Sequence, residues 1–122
     1  MSFLMNWRIG IRMHKYHIEI SQAARRDITK NTDYIAYDKK SPETASVLVR
    51  GFRKQIQSLS INPQRHEYDE DDELKKLSIR KHYYKNYKIY YQIDENNNVV
   101  HIVRVLHMLV DSKAILLQTL EK

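Results

Sequence analysis

The chain contains no cysteine, which excludes disulfide staples, thiolate nucleophiles and sulfur-based zinc or iron–sulfur sites. Its two glycines, Gly10 and Gly51, are isolated, so no glycine-rich loop is available to cradle a phosphate. No apolar run approaches the ~18 residues a bilayer span needs. Residues 1–15 carry Phe3, Leu4, Trp7 and Ile9, but Arg8, Gly10 and Arg12 interrupt them. A signal peptide requires an unbroken apolar stretch and a small-residue cleavage site, and neither is visible. These absences together lead us to expect a cytoplasmic protein.

What remains is a chain of 122 residues, 42% hydrophobic and 30% charged. That length fits one domain able to bury roughly two-thirds of its unfolded surface, and the composition fits neither a membrane protein nor a disordered tail. The formal net charge is +6, and residues 67–73 hold six acids without a base. Outside that run 21 basic residues face nine acidic ones, a surplus of twelve. Such a surface suits a polyanion or an acidic protein partner. The acidic run itself reads as a solvated loop, or as a mask over basic surface.

Tyr16, Ile18 and Ile20 alternate with polar residues, the period-2 pattern of a half-buried strand. Ser21 then offers a capping hydroxyl to a helix starting at Gln22. Ala24, Ile28, Thr32 and Ile35 continue it as a stripe, with an end expected near 38–40. Ser41-Pro42-Glu43 restarts a helix with a capping hydroxyl, a proline at its first turn and an acid near its N-terminus. Ala45, Leu48, Val49, Phe52, Ile56 and Leu59 repeat at helical spacing until Asn62-Pro63 stops them. Gly51 within it costs ~1 kcal/mol relative to Ala, a cost that close approach of the first helix would justify.

Residues 63–73 read as a polar loop. Leu77 and Ile79 alternate with Lys76, Ser78 and Arg80 as a second strand, and Tyr87, Ile89, Tyr91 and Ile93 mark a third. Asp94 to Asn98 forms a hairpin turn. Residues 99–107 are apolar on both faces, with Val100, Ile102 and Leu106 on one and Val103 and Val105 on the other, the mark of a central strand. Asp111 is placed to cap a short final helix. The expected fold is α+β, a small antiparallel sheet packed against an N-terminal helical hairpin, in the order β-α-α-β-β-β with a short C-terminal helix. Residues 14–122 form its single domain. Residues 1–13 are an N-terminal extension or a mis-assigned start, since Met13 directly precedes the first well-patterned segment.

The order of these segments resembles the RelE/ParE superfamily of toxins from bacterial type II toxin–antitoxin modules. The resemblance runs through Tyr16-His-Ile-Glu-Ile-Ser21, Asp33-Tyr-Ile-Ala36, Ser41-Pro-Glu-Thr-Ala45 and Tyr87-Lys-Ile-Tyr-Tyr-Gln-Ile-Asp94. It continues through Val99 to His107 and Asp111, spanning residues 14–117. It implies a toxin with a cognate antitoxin, assembled as a hetero-oligomer, with no cofactor, metal or membrane. RelE-like members cut mRNA in the ribosomal A site, whereas ParE-like members inhibit DNA gyrase without a recognised hydrolytic centre. The long hairpin joined at Ser41-Pro42 and the segment Arg104-Val-Leu-His107 with Asp111 resemble the ParE branch more. The alternatives are a ribosome-dependent endoribonuclease and a non-toxic binding module.

Metal-free RNA cleavage needs a base, an acid and cations for the phosphate. Arg80, Lys88, Arg104 and His107 are the candidates for a RelE-like centre. Arg104 lies in an apolar strand where an unpaired charge is costly. It is either a phosphate clamp or a structural cation whose head reaches a carboxylate or the sheet edge. Arg104 and His107 differ by three positions, so a regular strand points them to opposite faces, and only a bulge or an early strand end brings them together. Among the tyrosines, Tyr87 and Tyr91 share a face with Ile89 and Ile93 and read as packing residues. Tyr83, Tyr84, Lys85 and Tyr90 are candidates for contact with nucleic acid or target, rings beside cations being suited to stacking. The six histidines show no metal-site spacing.

Overall fold

The computed structural model describes residues 15–121, so the expectation for residues 1–13 lies outside the described residues. Four strands, β1 (His17–Ile20), β2 (Arg80–Tyr84), β3 (Tyr87–Asp94) and β4 (Val99–His107), form one sheet in the order β1-β4-β3-β2. The β2–β3 and β3–β4 pairs are antiparallel, but β1 runs parallel to β4, so the sheet is mixed. The parallel pair follows from the helical crossover between β1 and the rest of the sheet.

That crossover is the helical hairpin of α1 (Gln22–Asp33), a π-helical turn (Tyr34–Asp38) and α2 (Pro42–Ser58). Ser21 caps α1 as its sequence suggests, its hydroxyl accepting from the Ala24 N–H at 2.9 Å. Ser41 makes no such cap bond to α2; its hydroxyl donates to Thr44 Oγ1 at 2.7 Å instead. Asp111 likewise precedes α4 (Ser112–Leu120) without a side-chain cap bond.

The hairpin closes over one face of the sheet, where Phe52, Ile56, Tyr87, Ile89, Tyr91, Val100 and Ile102 form a buried cluster. A fully buried side chain of this size stabilises by roughly 1.5–3 kcal/mol. Phe52 meets Tyr84 and Tyr87 edge-on, at 5.4 and 5.0 Å between ring centroids. Gly51 owes its place to β2 rather than to α1, because a Cβ there would lie 1.6 Å from the Tyr84 hydroxyl oxygen. A smaller cluster of Leu74, Ile79, Tyr90, Val103, Leu106 and Leu116 lies under α4.

The second strand starts later than expected. Residues 76–80 finish a short helix, α3 (Asp72–Lys76), and turn into β2 at Arg80. Asp71 starts α3 by accepting from the Glu73 and Leu74 N–H groups, and burial of Leu74 holds it. These local bonds outweigh the alternation of Leu77 and Ile79. The stretch expected as loop thus contains a 3-10 turn (Pro63–Arg65) and the start of α3.

A second correction concerns β4. Tyr90 pairs with Arg104 but Tyr91 pairs with Ile102, leaving Val103 as an extra residue. This bulge reverses the alternation from there on. Val105 therefore joins Val100 and Ile102 beneath the hairpin, while Leu106 joins Val103 beneath α4.

Candidate functional site

The four candidate nuclease residues do not converge. The bulge falls before Arg104, and from Arg104 to His107 the register with β3 is unbroken. The two side chains therefore leave opposite faces. His107 stands edge-on to Tyr87 at 5.4 Å between ring centroids, and its Nδ1 accepts from the Leu109 N–H at 3.2 Å. Arg80 pairs across the sheet with Tyr91 and shares that hairpin face. Its guanidinium lies 4.0 Å from the Tyr68 ring centroid and donates to the His66 carbonyl at 2.7 Å. Lys88 pairs with Leu106 and so projects from the α4 face, where its Nζ lies 5.7 Å from the Tyr90 ring centroid.

Arg104 is the most constrained of the four. Its Nε and Nη2 donate to the two carboxylate oxygens of Asp27, both at 2.7 Å, and its Nη1 donates to Thr119 Oγ1 at 3.0 Å. Asp27 Oδ2 also accepts from the Val105 N–H at 3.0 Å. β1 ends opposite Ile102, so the rest of β4 would expose an unpaired edge. Ser21 and Asp27 of the α1 region occupy that edge, with the Ser21 hydroxyl donating to the Val103 carbonyl at 2.8 Å. The bidentate bond to Asp27 raises the pKa of Arg104 against the opposing effect of burial. Sequence reasoning missed Asp27, although its position beside Ala24 and Ile28 on the buried stripe of α1 was the available signal. A carboxylate on such a stripe requires a partner.

The tyrosine–lysine group divides in the same way. Tyr83 is exposed, and Lys85 occupies the β2–β3 turn at φ 52°. Tyr90 is only 2% exposed, packed beneath α4, so its ring has no face to offer. Tyr84 leans on Phe52 and the core. The contact role expected of Tyr90 is corrected to packing; Tyr84 is partly buried against the core, and Tyr83 and Lys85 remain accessible.

A groove of about 320 Å³ opens between the helices of the hairpin and β1. Ile20, Ile28, Val49, Phe52 and Ile56 give it an apolar floor, and Arg25 and Arg53 stand at it from α1 and α2. Sequence reasoning did not single out either arginine. Among the described residues no group of three or more His, Asp or Glu side chains is placed to hold a metal. No helix among them is long and apolar enough to cross a membrane.

A four-stranded mixed sheet closed on one face by a helical hairpin, carrying cations distributed over both faces, defines a small α+β fold. The family described as the ParE toxin of the type II toxin–antitoxin system parDE matches residues 18–111. The chain belongs to this family of toxins. No curated protein gives a significant match. Among solved structures, a chain of the RelBE2 toxin–antitoxin complex from Mycobacterium tuberculosis is similar at 25% identity and a TM-score of 0.54, covering 78% of this chain and 93% of that one. A chain of the chromosomal ParDE toxin–antitoxin system from P. aeruginosa shares the fold at 15% identity and a TM-score of 0.61, covering 77% and 97%.

Proposed function

We propose that this ParE-family toxin acts in the cytoplasm on DNA gyrase, by surface contact rather than hydrolysis, and is neutralised by a cognate antitoxin in a hetero-oligomer. The observation that carries this reading is the placement of Arg80 and His107 on one sheet face and Lys88 and Arg104 on the other, with Arg104 held by Asp27. General acid–base cleavage needs its groups within hydrogen-bond reach of one phosphate, and a sheet separates these. The groove between α1, α2 and β1 supports the antitoxin. An apolar floor flanked by Arg25 and Arg53 fits an amphipathic segment that buries its apolar side chains and places acids against the rim.

The test is a supercoiling assay with purified gyrase, titrated with the full chain freed of antitoxin, beside primer extension on translated mRNA. Supercoiling is expected to fall while transcripts stay intact, and added antitoxin restores it. Unaffected supercoiling with cuts in translated codons that vanish in Arg104→Ala and His107→Ala identifies a ribosome-dependent endoribonuclease instead. Neither activity, with a stable antitoxin complex, identifies a non-toxic binding module.

A further inference from the structure

The segment 62–70 runs across the outer edge of β2 as a strap. Asp69 N–H donates to the Ile79 carbonyl at 2.8 Å and Lys81 N–H to the Glu67 carbonyl at 3.3 Å. Arg80 holds the Gln64 and His66 carbonyls, and the Tyr91 hydroxyl donates to the Pro63 carbonyl at 2.6 Å. Between strap and strand lies a pair of stacked imidazoles, His66 on His82, 4.0 Å between centroids and 30° from parallel. Neither ring has a part in the proposed action on gyrase.

The surroundings of the pair favour two neutral rings. His82 Nε2 lies 2.8 Å from the Gln55 side-chain oxygen of α2, so with the amide in this orientation that nitrogen carries a proton. His66 Nε2 is buried and has no hydrogen-bond partner among the described residues. A proton placed there would find no acceptor. The charged groups bearing on the pair are Arg65 of the strap, which acts on both rings, and Arg80 of β2, bonded to the His66 carbonyl. From β3, Tyr91 meets His66 edge-on at 6.4 Å. Glu67, Glu70 and Lys81 line the open cleft on the outer side of His66.

We propose that the His66–His82 stack is an acid-sensitive latch, which holds the strap on β2 at neutral pH and releases it on acidification, baring the strand edge and the Arg80 guanidinium. Burial, then the charges of the other ring and Arg65, hold His82 down to about 4, and burial with Arg65 also lowers His66. An imidazole freed into water returns to about 6.5. The open form therefore binds more protons between those values, so closure is fully favoured above about pH 6.5 and weakens as pH falls toward 4. From pH 7.5 to 5 the open-to-closed ratio rises about 30-fold through His82 alone.

Amide hydrogen exchange on the full chain, corrected for the intrinsic pH dependence of exchange, reads this directly. Between pH 7.5 and 5 the Asp69 and Lys81 amides are expected to lose about 30-fold in protection while those of β3 and β4 keep theirs. His82→Phe, which retains a ring but cannot charge, is expected to remove that 30-fold change. Unchanged strap protection, loss in step with β3 and β4, or an equal response in a folded His82→Phe variant overturns the proposal. Should His82→Phe fail to fold, histidine NMR titration of the wild-type chain decides. Both rings titrating well below 6.5 supports the latch, and ordinary titration of both overturns it.

Discussion

The two faces of the sheet hold the chain together by different means. Under the helical hairpin, aromatic and branched apolar side chains interlock around Phe52, and charge is kept to the rim. Under α4, Arg104 and Lys81 stand among Tyr90, Val103 and Leu106, and carboxylates from distant segments offset their charge. Asp27 comes from α1, Asp69 and Glu70 from the strap. Burial opposes the charge on Lys81, but its hydrogen bond to Glu70, then Tyr83 and the charge of Asp69, raise its pKa. The apolar face is thus stabilised by area removed from water; under α4 a smaller apolar cluster is stabilised in the same way, and the ion pairs beside it tie distant segments to the sheet. The difference also bears on function, because cations already engaged within the fold are not free to gather round one phosphate.

The largest effect expected from breaking this contrast lies on the apolar face. Phe52→Ala removes a ring that is 1% exposed and touches two tyrosines, and about 3–5 kcal/mol of stability should go with it in urea unfolding. Arg104→Ala comes next, with a loss of about 3 kcal/mol. This is the low end for a broken buried pair, because the arginine side chain retains 21% exposure. Here the midpoint for Arg104→Met, which keeps the stem, should lie no higher than for Arg104→Ala if the stranded Asp27 carboxylate dominates; a Met variant as stable as wild type contradicts a structural pair.

Gly51→Ala sharpens the packing side by a change of sign. With Tyr84 present it should destabilise by about 1–3 kcal/mol through overpacking. In a Tyr84→Ala background the same substitution should stabilise by about 1 kcal/mol through helix propensity alone. Thermal melts of the four proteins close the cycle. The smallest effect belongs to Lys113, whose pairs with Asp71 and Glu73 lie at the exposed margin of the ionic face. Lys113→Ala should leave the unfolding midpoint where it is, as solvent-screened pairs contribute little.

The apolar face was legible in the sequence because its information is local. The steps of three and four along α2 and the alternation from Tyr87 to Ile93 specify which side chains point inward, whatever lies opposite. The ionic face was not, because Arg104 shows its role only beside Asp27, 77 residues away. The bulge at Val103 was hidden for a related reason: apolar residues on both sides of β4 leave the pattern intact when one residue is inserted. Residues 76–80 misled because Leu77 and Ile79 alternate by chance at the end of a capped helical turn. The site candidates shared this limit. Residue types named Arg80, Lys88, Arg104 and His107 together, and only the register divided them between two faces.

The most direct test of that division is growth arrest on induction of His107→Ala without antitoxin, with the variant's fold and antitoxin binding verified in parallel. Arrest as complete as with the wild-type chain is the outcome expected of a toxin that works by contact. Normal growth from a folded, antitoxin-binding His107→Ala protein would contradict it, since an imidazole packed against Tyr87 at the end of the sheet would then be indispensable to the chemistry.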